Sequence, residues 1–148
     1  MADKVYTNDG VYIAKAMLEH LNSWEGKPVD IKFEGFTKNP PSMMMQQLTG
    51  AIKKRAYING SYLGSWPFAI YIRVDGSDTA GKLDASEALN NIAEWLSLTP
   101  LPTLGDKRTA LKIEMTGLPS IAARYEDGCE DYQAIFELEY KQGGYIHV

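Results

Sequence analysis

The residues of this chain with the most pronounced chemical character form a basic tract, Lys53-Lys54-Arg55, set among Tyr57, Tyr62, Trp66 and Tyr71. Cations interleaved with aromatic rings make up single-strand nucleic-acid surfaces, where phosphates meet the cations and bases stack on the rings. That chemistry needs the cations on one face, whereas successive residues of an extended chain point to opposite faces. A second group is acidic: Asp127 and Asp131 flank a glycine turn, with Cys129 between them. Carboxylate pairs do acid–base work when their environments differ, but both members of a pair at a hairpin turn are expected to be solvated. An acidic setting raises the pKa of a thiol, so Cys129 reads as an ordinary small residue at a strand start. As the single cysteine it has no internal disulfide partner.

Other catalytic constellations are missing from the sequence. Two histidines and one cysteine do not supply a His- or Cys-rich metal cluster. His20 has no ligand-type cluster near it in sequence and reads as a solvated or hydrogen-bonded surface histidine. The glycines Gly60 and Gly64 lack the Lys-Ser/Thr of a phosphate loop and suit a turn that needs positive φ. The expectation is a protein that is not an enzyme, with no catalytic residues, no cofactor and no metal.

Stepping outward from the basic tract, residues 50–59 and 66–74 are β-branched and aromatic, and flank a turn-forming stretch at 60–65. Phe68, Ile70, Ile72 and Val74 share one face of the second run, and Ala69, Tyr71 and Arg73 the other. This is a long β-hairpin with a loop longer than two residues, and Tyr62, Leu63 and Trp66 lie at or near its tip. Before it, residues 9–24 carry Val11, Ala14, Met17, Leu18, Leu21 and Trp24 at helical spacing, with Asn8 or Asp9 as cap. Residues 29–33 alternate as a strand. A loop with Pro40-Pro41 precedes Met43-Met44-Met45, which suits a core or an adaptable interface, with core favoured.

After the hairpin, residues 75–83 have loop composition, and Asp84 to Glu87 form a helix-capping signature. Ala85, Leu89, Ile92, Ala93 and Leu96 then make the stripe of a second helix to about Leu98, ended by Pro100 and Pro102. A strand at 109–115 places Leu111, Ile113 and Met115 inward, and Gly117 and Pro119 break it. A second hairpin follows, 120–126 and 130–141, across Asp127-Gly128. Its last strand alternates Tyr132, Ala134, Phe136, Leu138 and Tyr140 with polar residues, and the tail 145–148 is expected to be mobile. The order helix, strand, hairpin, helix, strand, hairpin gives an α+β fold: a single domain over 1–148, with a largely antiparallel sheet and two helices on one face.

At 148 residues the chain suits one domain with a substantial core. No apolar run reaches the ~20 residues of a membrane span, and no signal-peptide pattern opens the sequence; a soluble, cytosolic protein is expected. The net charge of −4 argues against general nucleic-acid affinity. Its distribution is polarised. From Gly35 to Val74 there is no Asp or Glu, while Lys38, Lys53, Lys54, Arg55 and Arg73 are present; between Glu114 and Glu139 seven acids face Arg124 alone. Opposite charges on one small domain suit head-to-tail contacts between copies.

The run MMMQQLTG, the basic tract, YINGSY and WPFAIYIR together resemble a family of small siphophage proteins known as minor capsid proteins, similar to the tail terminators of long-tailed phages. The resemblance extends more loosely to Glu94-Trp95-Leu96, to Leu101-Pro102-Thr103-Leu104 and to the closing DYQAIFELEY, so it spans most of the chain through packing and turn motifs. It implies a tail-terminator-like fold and a structural virion role: a homo-oligomeric ring, hexameric in such proteins, that caps the tail tube and joins it to the head-completion complex. The implied partners are further copies of the chain, the major tail tube protein and a head-completion protein. DNA would pass through without specific binding and no membrane is involved. The implied place is the head-proximal end of the tail, assembled in the bacterial host cytoplasm. Lys53, Lys54, Arg55, Tyr62, Leu63 and Trp66 are the candidate assembly contacts. A capsid-associated minor protein, another head–tail connector component, or a single-strand nucleic-acid-binding module are the alternative readings.

Overall fold

The computed structural model describes residues 5–6, 9–36, 40–48, 51–105 and 107–143, with Val5 and Tyr6 as backbone alone. Asn8 as a cap, Lys38 and the tail 145–148 lie outside the described residues. In chain order the elements are β1 (Val5–Tyr6), α1 (Asp9–Asn22), β2 (Ile31–Phe33), β3 (Ser42–Gln47), β4 (Ile52–Ala56), β5 (Tyr62–Asp75), α2 (Thr79–Leu98), β6 (Thr103–Gly105), β7 (Arg108–Arg124) and β8 (Cys129–Gln142).

The sheet is organised on β5 and β8, which pair antiparallel along their whole length, from Tyr62↔Gln142 to Asp75↔Cys129. On its other edge β5 pairs antiparallel with β4 near its start and with β3 near its end. Strand β4 carries β1, and β3 carries β2 in a parallel pair. Beyond β8 come β7 and then β6. The result is the expected α+β class, a mainly antiparallel curled sheet with two helices.

Period-two alternation decides which side the helices cover. Trp66, Phe68, Ile70 and Ile72 of β5 and Ala134, Phe136, Leu138 and Tyr140 of β8 are all buried, and form one cluster with Ile13, Met17 and Leu21 of α1 and Ala85, Leu89, Ile92 and Leu96 of α2. The rings of Trp66, Phe68 and Phe136 stack in series, with centroids 5.1 and 5.3 Å apart. Met43 and Met45 of β3 are fully buried in the same cluster.

Several boundaries and phases differ from the sequence reading. Helix α2 begins at Thr79, so the Asp84–Glu87 signature lies inside it; Asp78 is the N-cap and makes no side-chain capping bond. Strand β5 begins at Tyr62, because pairing with both β4 and β8 extends it through the stretch expected to be loop. Strand β7 runs unbroken past Gly117 and Pro119, which sit instead at register irregularities opposite β8. An earlier irregularity between Ala110 and Lys112 shifts the parity of β7, so Ala110 and Ile113 are buried while Leu111 is 44% exposed. In α1, Ile13 takes the inward position and Val11 is 76% exposed. The helix offers two overlapping apolar phases, and packing against the sheet selects one.

Candidate assembly surface

The tip of the β4–β5 hairpin is built by local hydrogen bonding. The Tyr57 N–H donates to the Ser61 carbonyl at 2.8 Å and the Gly60 N–H to that of Tyr57 at 3.1 Å. Asn59 Oδ1 accepts from the Ser61 N–H at 3.0 Å and the Ser61 hydroxyl at 2.6 Å, a side-chain-closed turn. Gly60 has φ +85°, the left-handed conformation that glycine adopts without strain. The tip therefore presents Ile58 wholly to solvent and Tyr57 at 40% exposure.

The six candidate contacts separate into two sets. Lys53, Lys54 and Arg55 are exposed on β4. Lys53 Nζ lies 4.6 Å from the Tyr62 ring centroid, and the Arg55 guanidinium 5.7 Å from that of Tyr57. Lys54 crosses to β8 and pairs with Glu137 at 2.6 Å, so the three cations do not form one platform. Tyr62 and Trp66, by contrast, are core residues of β5 at 3% and 0% exposure, and Leu63 is half-buried in the strand. The expectation that they stand at an exposed tip is corrected by the early start of β5. Ile58, on the other side of the turn, occupies the exposed position instead.

A polar knot missed in the sequence explains why Tyr62 is held inside. The Asp9 carboxylate, in the first turn of α1, is 1% exposed. It pairs with the Arg108 guanidinium at 2.8 Å and accepts from the Tyr140 hydroxyl at 2.9 Å and from the Tyr62 hydroxyl. Tyr12 lies over the same guanidinium at 4.9 Å. Thus α1, β5, β7 and β8 meet at one carboxylate. Gly64 faces this knot: a Cβ there would run into the Tyr140 ring. The groups that bond the Asp9 carboxylate are remote from it in sequence, the separation from Asp9 to Arg108 being 99 residues.

Part of the charge polarisation is consumed within the molecule. Arg73 makes a two-bond pair with Asp131 at 2.7 and 3.0 Å, and lies over the rings of Phe36 and Tyr125. Asp131 is thus 4% exposed, contrary to its expected solvation, whereas Asp127 is exposed. The Tyr125 hydroxyl donates to Asp131 at 2.7 Å, and this bond raises its pKa, helped by loss of solvent and the carboxylate charge. The bond to Asp131 likewise pushes Arg73 further up. Glu130 is bridged by Lys82 and Arg124, each at 3.1 Å, which lowers its pKa despite its removal from water. Loss of solvent and the nearby Asp127 raise the Cys129 thiol, the direction its neighbours implied. His20 stacks on Trp95 at 5.0 Å, and Trp24 lies 6.2 Å from the same ring, so it is a packed residue of the helix–helix seam. Burial lowers its pKa.

At the opposite end of β5 from the hairpin tip lies a cavity of about 340 Å³. Its apolar wall includes Val74, Ala85 and Ala88, and Asp75, Asp78 and Asp84 also line it, all three exposed. Asp75 is occupied locally, accepting from the Ser77 N–H and hydroxyl, which lowers its pKa. Asp78 and Asp84 have no ion-pair partner among the described residues.

No family model matches this chain, and no curated protein is similar to it in sequence. Similarity is found among solved structures. A chain from the virion of a native gene transfer agent particle matches with a TM-score of 0.59 at 9% identity, covering 87% of this chain and 97% of that one. A second solved structure matches with a TM-score of 0.50 at 13% identity, covering 93% of this chain and 97% of its own. At such identities the likeness establishes the fold, which is therefore shared over nearly the full length of both chains.

Proposed function

We propose that this chain is a structural virion protein, a tail terminator that caps the phage tail tube as a ring and joins it to the head-completion complex. The observation that carries the reading is the match in fold to a chain of a gene transfer agent virion over 87% of this chain and 97% of that one. The motifs from Met43 to Arg73 that resemble siphophage terminators support the finer role. The surface is consistent with assembly between copies: with Lys54 and Arg73 paired internally, Arg55 and Lys141 have no ion-pair partner among the described residues and lie at the hairpin end, where Ile58 is wholly exposed. In this reading DNA passes through the ring without being gripped.

The deciding experiment is electron microscopy of particles made without this chain. Overlong tails, shortened to normal length by supplying the protein, support the terminator. Normal tails with altered heads identify a capsid-associated or other connector component and overturn the terminator role. Normal particles together with single-strand nucleic-acid binding would overturn the virion reading altogether.

A further inference from the structure

The hairpin tip and the cavity at the far end of β5 are complementary in both chemistry and charge. The tip offers one wholly exposed aliphatic side chain, Ile58, with the cations of Arg55 and Lys141 beside the adjacent Tyr57 ring. The cavity offers an apolar wall with Val74, Ala85 and Ala88, and three exposed carboxylates, Asp75, Asp78 and Asp84. An exposed isoleucine that gains nothing from water, set beside cations with no carboxylate partner among the described residues, matches an apolar recess edged by anions. The two cannot meet within one molecule. They lie at opposite ends of the 14-residue β5, separated by about 40 Å of extended chain at ~3.3 Å per residue.

We propose that the Ile58 tip of one copy seats in the Val74–Ala88 cavity of the next copy, with Arg55 and Lys141 against Asp78 and Asp84. Two different patches meet, so the contact is heterologous: each copy uses its tip on one neighbour and its cavity on the other, and the series closes as a ring. This deepens the proposed function and rests on it, since it names the contact by which the ring is built.

The test uses the full chain with Cys129→Ser as background, carrying Ile58→Cys and Ala88→Cys together. Under mild oxidation, disulfide-linked dimers and higher species are expected, and mapping of the linked peptides should show 58 joined to 88. Asp78→Lys with Asp84→Lys should suppress the ladder severalfold, and adding Arg55→Glu with Lys141→Glu should restore it. Rings seen by electron microscopy without 58–88 links overturn this contact while leaving the terminator reading in place. A ladder that the charge reversals do not change, or links running only 58 to 58, overturns it as well. A chain that assembles neither alone nor on isolated tails, and whose removal leaves tails normal, refutes the terminator reading itself.

Discussion

Asp9→Ala is the perturbation that most sharply tests how this fold is held together. The carboxylate is 1% exposed and the Arg108 side chain 4%, so the pair lies outside the solvent-screened regime of surface ion pairs. Removing one member of a buried pair costs about 3–5 kcal/mol, because it strands the other charge away from water. The Tyr62 and Tyr140 hydroxyls lose the same acceptor, which keeps the expectation at the upper part of that range. Against a total stability of roughly 5–15 kcal/mol for a domain, this is a large fraction. At about 2–4 °C per kcal/mol for a chain near this size, a loss of about 4–5 kcal/mol should lower Tm by about 8–20 °C. Urea denaturation followed by circular dichroism reads the free energy directly. The double variant Asp9→Ala with Arg108→Met should cost less than the two single changes added, by about 0.5–3 kcal/mol of coupling. A loss within about 0.5 kcal/mol for Asp9→Ala, the ordinary range of a surface change, would refute the knot. So would strict additivity in the double variant.

Three further outcomes follow from the same packing. Phe136→Ala should cost about 3–5 kcal/mol as a buried aromatic truncation, whereas Glu137→Ala, its outward neighbour paired with Lys54, should cost no more than about 1 kcal/mol; equal losses in chemical denaturation would contradict the strand register. Because burial depresses the His20 pKa, the unfolded chain takes up its proton first as pH falls. That contribution to stability is complete above the ordinary value of 6.5 and is lost as pH drops through the lower folded value, so Tm should fall between pH 7.5 and acidic pH less in His20→Gln than in the parent. Lys53, Lys54 and Arg55 should give no measurable DNA binding at about 50 mM salt, and binding at that salt that disappears on changing all three to Ala would overturn this.

Features that repeat locally were legible from the residues alone. The alternation of Ala134, Phe136, Leu138 and Tyr140, the stripe of Ala85, Leu89, Ile92 and Leu96, and the turn at Asp127-Gly128 all appear as read, since a strand or helix period is visible within one segment. What the sequence left open was every choice that depends on a partner from elsewhere in the chain. Two apolar phases of α1 are equally helical, and only contact with the sheet puts Ile13 inside and Val11 out. Irregularities in β7 exist only relative to β8, yet they decide that Leu111 faces water. The acidic and basic halves look ready for neighbours until the register of β5 on β8 sets Arg73 opposite Asp131. The turn residues 60–65 look like a loop until strands on both sides claim Tyr62, whose hydroxyl then finds an aspartate 53 residues away. Local periodicity is a property of consecutive residues, whereas burial and ion pairing belong to residues brought together by the fold, and it is the second kind that locates the exposed Ile58 and the acidic cavity at opposite ends of one strand.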